Sequence, residues 1–329
     1  MTSTLLGSRA VRIASLTLFS AAVAVACEDE HPPVVRQPVV ERTLVNAMGE
    51  PVVEISFDPR GMSHVRTIDE SAPTWVRGNG DSSAWDYREW QWWKGHPWGD
   101  SCRPRYWTTA EFSAGEKQID VRFEIDGFDC VQKFFLPLTV DSASPHWDVV
   151  VSIRNVSGAD VEEYGQFFAC YTRFNDPNSC WFWEAGNRLT RFAEHGVEHL
   201  DGYVVHPNAY FAERGAIPHC PRGGGKIVSK WHRPVLISHP SPAGWRSVIL
   251  IEAKYAAGLA QGIRGAAMDY IVFPGPAVQT FEDQTSFAVH VRHHLIKSPE
   301  LPTTDALEQL WSSFEAAHAA VHQLASASR

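Results

Sequence analysis

Apolar and polar residues alternate with a period of two through much of this chain. Val121 to Phe128 (VRFEIDGF) switches between apolar and charged positions before a turn, and Cys130 to Val140 (CVQKFFLPLTV) resumes an extended pattern with Pro137 marking an edge or bulge. Trp147 to Asn155 (WDVVVSIRN) and Arg246 to Lys254 (RSVILIEAK) are β-branched runs flanked by turn residues, the pattern of buried strands. Lys226 to Lys230, Pro234 to His239, Met268 to Phe273 and Ser286 to Ile296 are further strand candidates. In the last of these, His290 and His294 share one face and His293 takes the other. No long amphipathic helices alternate with the strands, which argues against a parallel βαβ sheet, and no fixed repeat signals a propeller. The expected fold is all-β, a large antiparallel β-sandwich with a C-terminal α-helix. Leu307, Leu310, Trp311, Phe314 and Val321 recur at helical spacing, with Asp305 and Glu308 as an expected capping box.

The N-terminus reads differently. Ile13 to Ala26 is an apolar run ending in small residues, as in a secretory signal, and it is short for a membrane span. The expected organisation is a signal peptide over 1–26, a polar tether over 27–40, a β-sandwich domain over 41–300 and an amphipathic helix over 301–329. The residues before Cys27 resemble the box of bacterial lipoproteins, so ordinary cleavage and lipid attachment at Cys27 both stand. Either implies an exported protein: periplasmic, held at the outer envelope by lipid, or extracellular. A formal net charge of −9 without long like-charged blocks excludes a nucleic-acid footprint, and any membrane contact would run through lipid on Cys27. In an oxidising compartment Cys102–Cys130 and Cys170–Cys180 are the local disulfide expectations among five remaining cysteines.

Seven of the thirteen tryptophans lie between Trp75 and Trp107, interleaved with Asp86, Arg88, Glu89, Asp100, Arg103 and Arg105. Indole faces cover the C–H face of a sugar ring, and forked cations and carboxylates satisfy its hydroxyls. The competing reading is a core of buried aromatics with loops shaped by Gly, Asp and Pro. For the ligand-facing reading the residues are Trp90, Trp92, Trp93, Trp98, Trp107 and Arg105, with Trp181 and Trp183 as a second patch. Carbohydrate, including polysaccharide, is the expected partner, and no cofactor is expected.

Three constellations bear on catalysis. His206 and Tyr210 in HPNAYF carry proton-transfer chemistry, with Glu89 in reserve, and the bland alternative is a turn leading into a strand. Glycosidase and lyase chemistry remain open, since paired carboxylates require a separation that sequence does not supply. His195-Gly196-Val197-Glu198-His199 fits H-x-x-E-H, in which two histidines on one helix face bind zinc; Gly196 interrupts such a helix at about 1 kcal/mol. A zinc-dependent hydrolase using His195 and His199 is therefore a lesser alternative. From another class comes a non-catalytic envelope lipoprotein whose aromatic surface makes protein contacts.

Val149 to Asn175 (VVVSIRNVSGADVEEYGQFFACYTRFN) resembles a stretch of the galactose-mutarotase-like β-supersandwich proteins, where a strand ending in Asn and a small polar residue turns into a strand bearing sugar-facing side chains. The resemblance covers about a tenth of the chain. It implies a supersandwich-like fold and carbohydrate chemistry. Where a mutarotase carries its acid histidine this chain has Phe167, Phe168, Ala169, Cys170 and Tyr171, so the resemblance does not extend to mutarotation. HPNAYF is similar to a His-Pro-Tyr-Phe string of the same family, with two extra residues after Pro207.

Overall fold

The computed structural model describes residues 39–327 except 59–60, 70–74, 77–90, 94–107, 126, 163–164, 172–179, 196–203, 206–225, 228–229, 262–266 and 273–279. The described strands are, in chain order, β1 (Val40–Val45), β2 (Pro51–Asp58), β3 (Gly61–Thr67), β4 (Trp75–Val76), β5 (Gln91–Trp93), β6 (Thr108–Ala114), β7 (Gln118–Ile125), β8 (Phe128–Phe135), β9 (His146–Asn155), β10 (Gly165–Tyr171), β11 (Trp181–Glu184), β12 (Arg188–Arg191), β13 (Val204–Val205), β14 (Lys226–Ile227), β15 (Trp231–Ile237), β16 (Trp245–Ile251), β17 (Ala256–Gln261), β18 (Ala267–Val272) and β19 (Ser286–Lys297). One long helix, α1 (Thr304–Ala327), follows them.

A nine-stranded sheet ordered β12-β11-β15-β16-β19-β9-β8-β7-β6 organises the molecule, beside four-stranded sheets β1-β2-β3-β4 and β17-β18-β10-β5. The pairing is antiparallel throughout, apart from a short parallel contact between β13 and β14. Period-two alternation assigns the two faces of the large sheet. Trp147, Val149, Val151 and Ile153 of β9 and Val289, Val291 and Leu295 of β19 join one core with Leu44, Val53, Ile55 and Phe57 of β1 and β2 and Leu259 of β17. The opposite face carries α1. Leu307, Trp311 and Phe314 pack with Trp183, Val235, Ile237, Val248 and Leu250, and Val321 and Ala325 close over Val150. These helix positions are spaced by three, four or seven residues and lie on one helix face. Burying each large side chain contributes about 1.5–3 kcal/mol. Strand β16 is covered on both faces, as its continuous apolar run requires.

The sequence expectation of an antiparallel β-sandwich with a C-terminal helix matches this architecture, and the strand candidates coincide with β7, β8, β9, β14, β15, β16, β18 and β19 to within a few residues. Details differ for local reasons. β8 ends at Phe135, before Pro137, because proline donates no ladder hydrogen bond. Pro234 lies inside β15, where the ladder to β11 is irregular and pairing with β16 starts only at Val235. The helix is not capped by Asp305 and Glu308. Thr303 is its N-cap, its Oγ1 accepting the Ala306 N–H at 3.2 Å, and Glu308 is instead paired with His232 at 2.8 Å. Cys130 holds a free thiol buried in the core, so the expected Cys102–Cys130 bond is not made, and no disulfide occurs among the described residues.

Asn155 realises the Asn-plus-small-polar turn read from the sequence. Its amide donates to the carbonyls of Ala159 and Phe281 at 2.8 Å each, and its Oδ1 accepts from the Ser157 N–H and hydroxyl at 3.0 and 2.7 Å. This Asx-type turn ends β9 and fixes the route toward β10. Gly127, at φ +82°, closes the β7–β8 hairpin against it; a Cβ there would sit 2.6 Å from the Ser157 Cβ.

Candidate functional site

The most concentrated polar chemistry among the described residues lies where α1 crosses β9 and β19. Cross-strand register puts Arg292 opposite Asp148, His290 opposite Val150 and His294 opposite His146. Even-numbered positions of both strands face the helix, so Asp148, His290 and Arg292 share one patch. Arg292 donates to both oxygens of Asp148, Nε to Oδ1 at 2.7 Å and Nη2 to Oδ2 at 3.0 Å. His290, whose side chain is fully buried, places Nε2 2.8 Å from Asp148 Oδ1. Burial alone would raise the Asp148 carboxyl, but hydrogen bonds from His290 and Arg292 and the guanidinium charge hold it well below the usual carboxylate range. Asp148 is therefore an ionised acceptor, and His290 Nε2 carries a proton.

The far nitrogen of His290 meets the helix. Its Nδ1 lies 2.7 Å from His318 Nδ1, a contact that needs one proton between two lone pairs. Desolvation first, then the neighbouring His290, pushes His318 down to about 4, so that ring is neutral at physiological pH. One helical turn on, His322 Nε2 lies 2.9 Å from Glu252 Oε2, and the same oxygen accepts the His290 backbone N–H at 3.0 Å. Burial opposes ionisation of Glu252, but these hydrogen bonds outweigh it and lower its pKa. Beside this pair an open cleft of about 370 Å³ is lined by Ser152, Glu252, Lys254, Tyr255, Ser286, Phe287, Ala288 and His322.

A second group of rings flanks the patch. His293 stacks on Trp147 at 5.5 Å on the core face, and His294 stacks on His146 at 5.3 Å on the helix face. Burial pushes His293 and His294 each down to about 3. Both are neutral structural rings at physiological pH.

The residues expected from sequence distribute unevenly. Trp92 and Trp93 belong to β5, which pairs with β10 through Trp92↔Gln166 and Trp93↔Gly165 and forms the edge of its four-stranded sheet. Glu89, Trp90, Trp98, Arg105, Trp107, His199, His206 and Tyr210 lie outside the described residues. Trp183 is not ligand-facing: its indole is 0% exposed within the apolar cluster under α1, and its Nε1 donates to Asn187 Oδ1 at 2.9 Å. β11 is an interior strand whose helix side is covered, which buries that ring. Trp181 is half-buried on the same strand with the Arg246 guanidinium 5.2 Å from its ring centre. His195 ends a 3₁₀ turn, Phe192–His195, and the rest of H-x-x-E-H lies outside the described residues. Among the described residues, no three His, Cys, Asp or Glu side chains converge as metal ligands.

Sequence reading missed Asp148, Glu252, Arg292, His318 and His322. Two signals were available. Asp148 and Arg292 are charged residues within β-branched strands on the parity of His290, and His318 and His322 interrupt the apolar stripe of α1 four residues apart.

No protein-family model and no curated protein matches the sequence. Among solved structures, the Slr1438 protein from Synechocystis sp. PCC 6803 superposes with a TM-score of 0.44 at 10% identity, covering 79% of this chain and 96% of its own. A galactose mutarotase-like protein from Clostridium acetobutylicum gives 0.44 at 9% identity, covering 79% and 99%. Another from Lactobacillus casei ATCC 334 gives 0.39 at 9%, covering 78% and 100%. The likeness is weak and partial and concerns the fold alone; no substrate or site residue is carried over from it.

Proposed function

We propose that this chain is an exported carbohydrate-binding protein whose contact surface is the tryptophan- and arginine-rich segment between Trp75 and Trp107. The observation that supports this reading is the placement of Trp92 and Trp93 on β5. Two of its tryptophans, Trp92 and Trp93, fall on a strand of three residues that, among the described residues, has a sheet neighbour on one side only. Seven indoles in a stretch this polar are more than internal packing readily absorbs.

In this reading Trp90, Trp92, Trp93, Trp98 and Trp107 supply stacking platforms and Arg105 a bidentate donor to ring hydroxyls. Trp181 is a lesser contributor, since Arg246 lies over its ring. A net charge of −9 suits neutral or cationic glycans better than polyanionic ones. Binding is the activity proposed; His206, Tyr210 and Glu89 are reserved for proton transfer only if turnover is found.

A glycan array with the full chain tests the proposal. Selective binding that falls at least tenfold in Trp92→Ala/Trp93→Ala, with unchanged thermal unfolding, is the expected result. Absence of any glycan signal, or a double variant whose only defect is instability, would overturn it.

A further inference from the structure

The cleft beside α1 presents an arrangement of donors and acceptors that no fold contact uses up. Glu252 spends one oxygen, Oε2, on both His322 Nε2 and the His290 N–H. Its other oxygen, Oε1, takes no hydrogen bond among the described residues and is not sealed from solvent. Because the carboxylate is ionised, His322 Nε2 is the donor of that bond, and Nδ1 is the second nitrogen of the ring. That nitrogen also has no partner among the described residues, and His322 is partly exposed, at 29% of its side chain. The cleft therefore holds an unused carboxylate oxygen and an unused ring nitrogen.

Donors line it as well. Lys254 Nζ donates to Tyr255 Oη at 2.9 Å, so the phenol accepts that bond and keeps its own O–H to give. Lys254 is exposed and its ammonium has further protons to donate. The hydroxyls of Ser152 and Ser286 act in either sense, and Phe287 and Tyr255 add apolar surface.

Charge decides the class of occupant. A carboxylate or phosphate would meet the ionised Glu252, and an organic cation would meet Lys254. A neutral polyol avoids both costs, since each hydroxyl gives to an acceptor and receives from a donor. The volume of about 370 Å³ stands at the small end of ligand pockets, enough for one compact ligand and not for an extended chain. We infer that this cleft is a binding site for a single neutral sugar ring or similar polyol, with Glu252 Oε1 accepting from its hydroxyls, His322 Nδ1 hydrogen-bonding to one of them, and Tyr255 and Lys254 donating to them. This goes beyond the proposed aromatic surface by naming a second site, on different elements, for the monosaccharide unit; it rests on the carbohydrate reading for its ligand class.

The test uses the full chain and a panel of D-glucose, D-galactose, D-mannose and N-acetyl-D-glucosamine. NMR of the imidazole C–H signals of His322, assigned with His322→Gln, follows each titration, and calorimetry gives the affinity. Tyr255→Phe removes only a hydroxyl and Lys254→Ala alters an exposed side chain, so both keep the fold. The expected result is a saturable shift of the His322 signals with at least one sugar, an affinity loss of about three- to tenfold in Tyr255→Phe, as for one hydrogen bond, and no change in Trp92→Ala/Trp93→Ala. Sugar binding that leaves His322 unmoved and is lost only in the tryptophan double variant overturns the cleft site while the proposed function stands. No monosaccharide binding, with glycan-array binding intact, overturns the cleft site alone. Failure of both assays removes the two together.

Discussion

The two faces of the nine-stranded sheet are held by different physics. Its core face is aliphatic and aromatic, with Val149, Val151, Ile153, Val291 and Leu295 fully or nearly fully buried. Its helix face mixes an apolar cluster around Trp311 with a charged patch centred on Asp148, His290 and Arg292. Non-directional burial tolerates small shifts, whereas a buried charge network requires every partner. The polar face thus fixes where α1 sits, and the apolar face supplies most of the stability.

Removing one partner of the charged patch breaks this contrast most severely. Asp148→Ala leaves the Arg292 guanidinium and a His290 N–H buried without their acceptor, and should cost about 3–5 kcal/mol in urea unfolding. A methylene deleted from the opposite face, Ile153→Val, should cost about 0.5–1.5 kcal/mol in the same assay. Equal losses would contradict the division of labour.

Acid sharpens the comparison. His293, His294 and His318 have folded values of about 3, 3 and 4 against 6.5 for an ordinary histidine. Between those limits the unfolded chain binds more protons than the folded one, so their contribution is present above about pH 6.5 and is lost as pH falls toward 3. Asp148 and Glu252, both depressed, lose stability in the same direction at lower pH. Urea midpoints should fall steadily from pH 7 to pH 4.5. His293→Phe, which can keep the stack on Trp147, should make that slope shallower; an unchanged slope would remove this ring from the account.

The smallest effect concerns the start of the helix. Thr303→Ala should lower stability by about 1 kcal/mol through loss of the cap, while Asp305→Asn, whose carboxyl is not the cap, should change it by a few tenths. Circular dichroism melts of the two variants distinguish them.

The sequence made β9, β16 and β19 legible because buried central strands spell out unbroken β-branched runs, and it made α1 legible through the Leu307–Trp311–Phe314 stripe. The parity of His290 and His294 was legible too. What it hid was partnership. Asp148 and Glu252 are far apart in sequence and both reach His290 only through the β9–β19–β16 pairings, which periodicity cannot specify. Trp183 was misread for a related reason: composition reports that an indole is present, whereas α1, more than a hundred residues later, decides that its face is covered. The N-cap is Thr303 because the helix begins at Thr304, two residues before a cap at Asp305 would start it.

The central claim is that the indoles around β5 meet sugar. Intrinsic tryptophan fluorescence of the full chain, titrated with the best glycan from the array, tests it directly. A saturable change in emission that disappears in Trp92→Ala/Trp93→Ala is the predicted result. An identical change in that double variant, or a flat titration of the unaltered chain by a glycan that binds it, would contradict the claim.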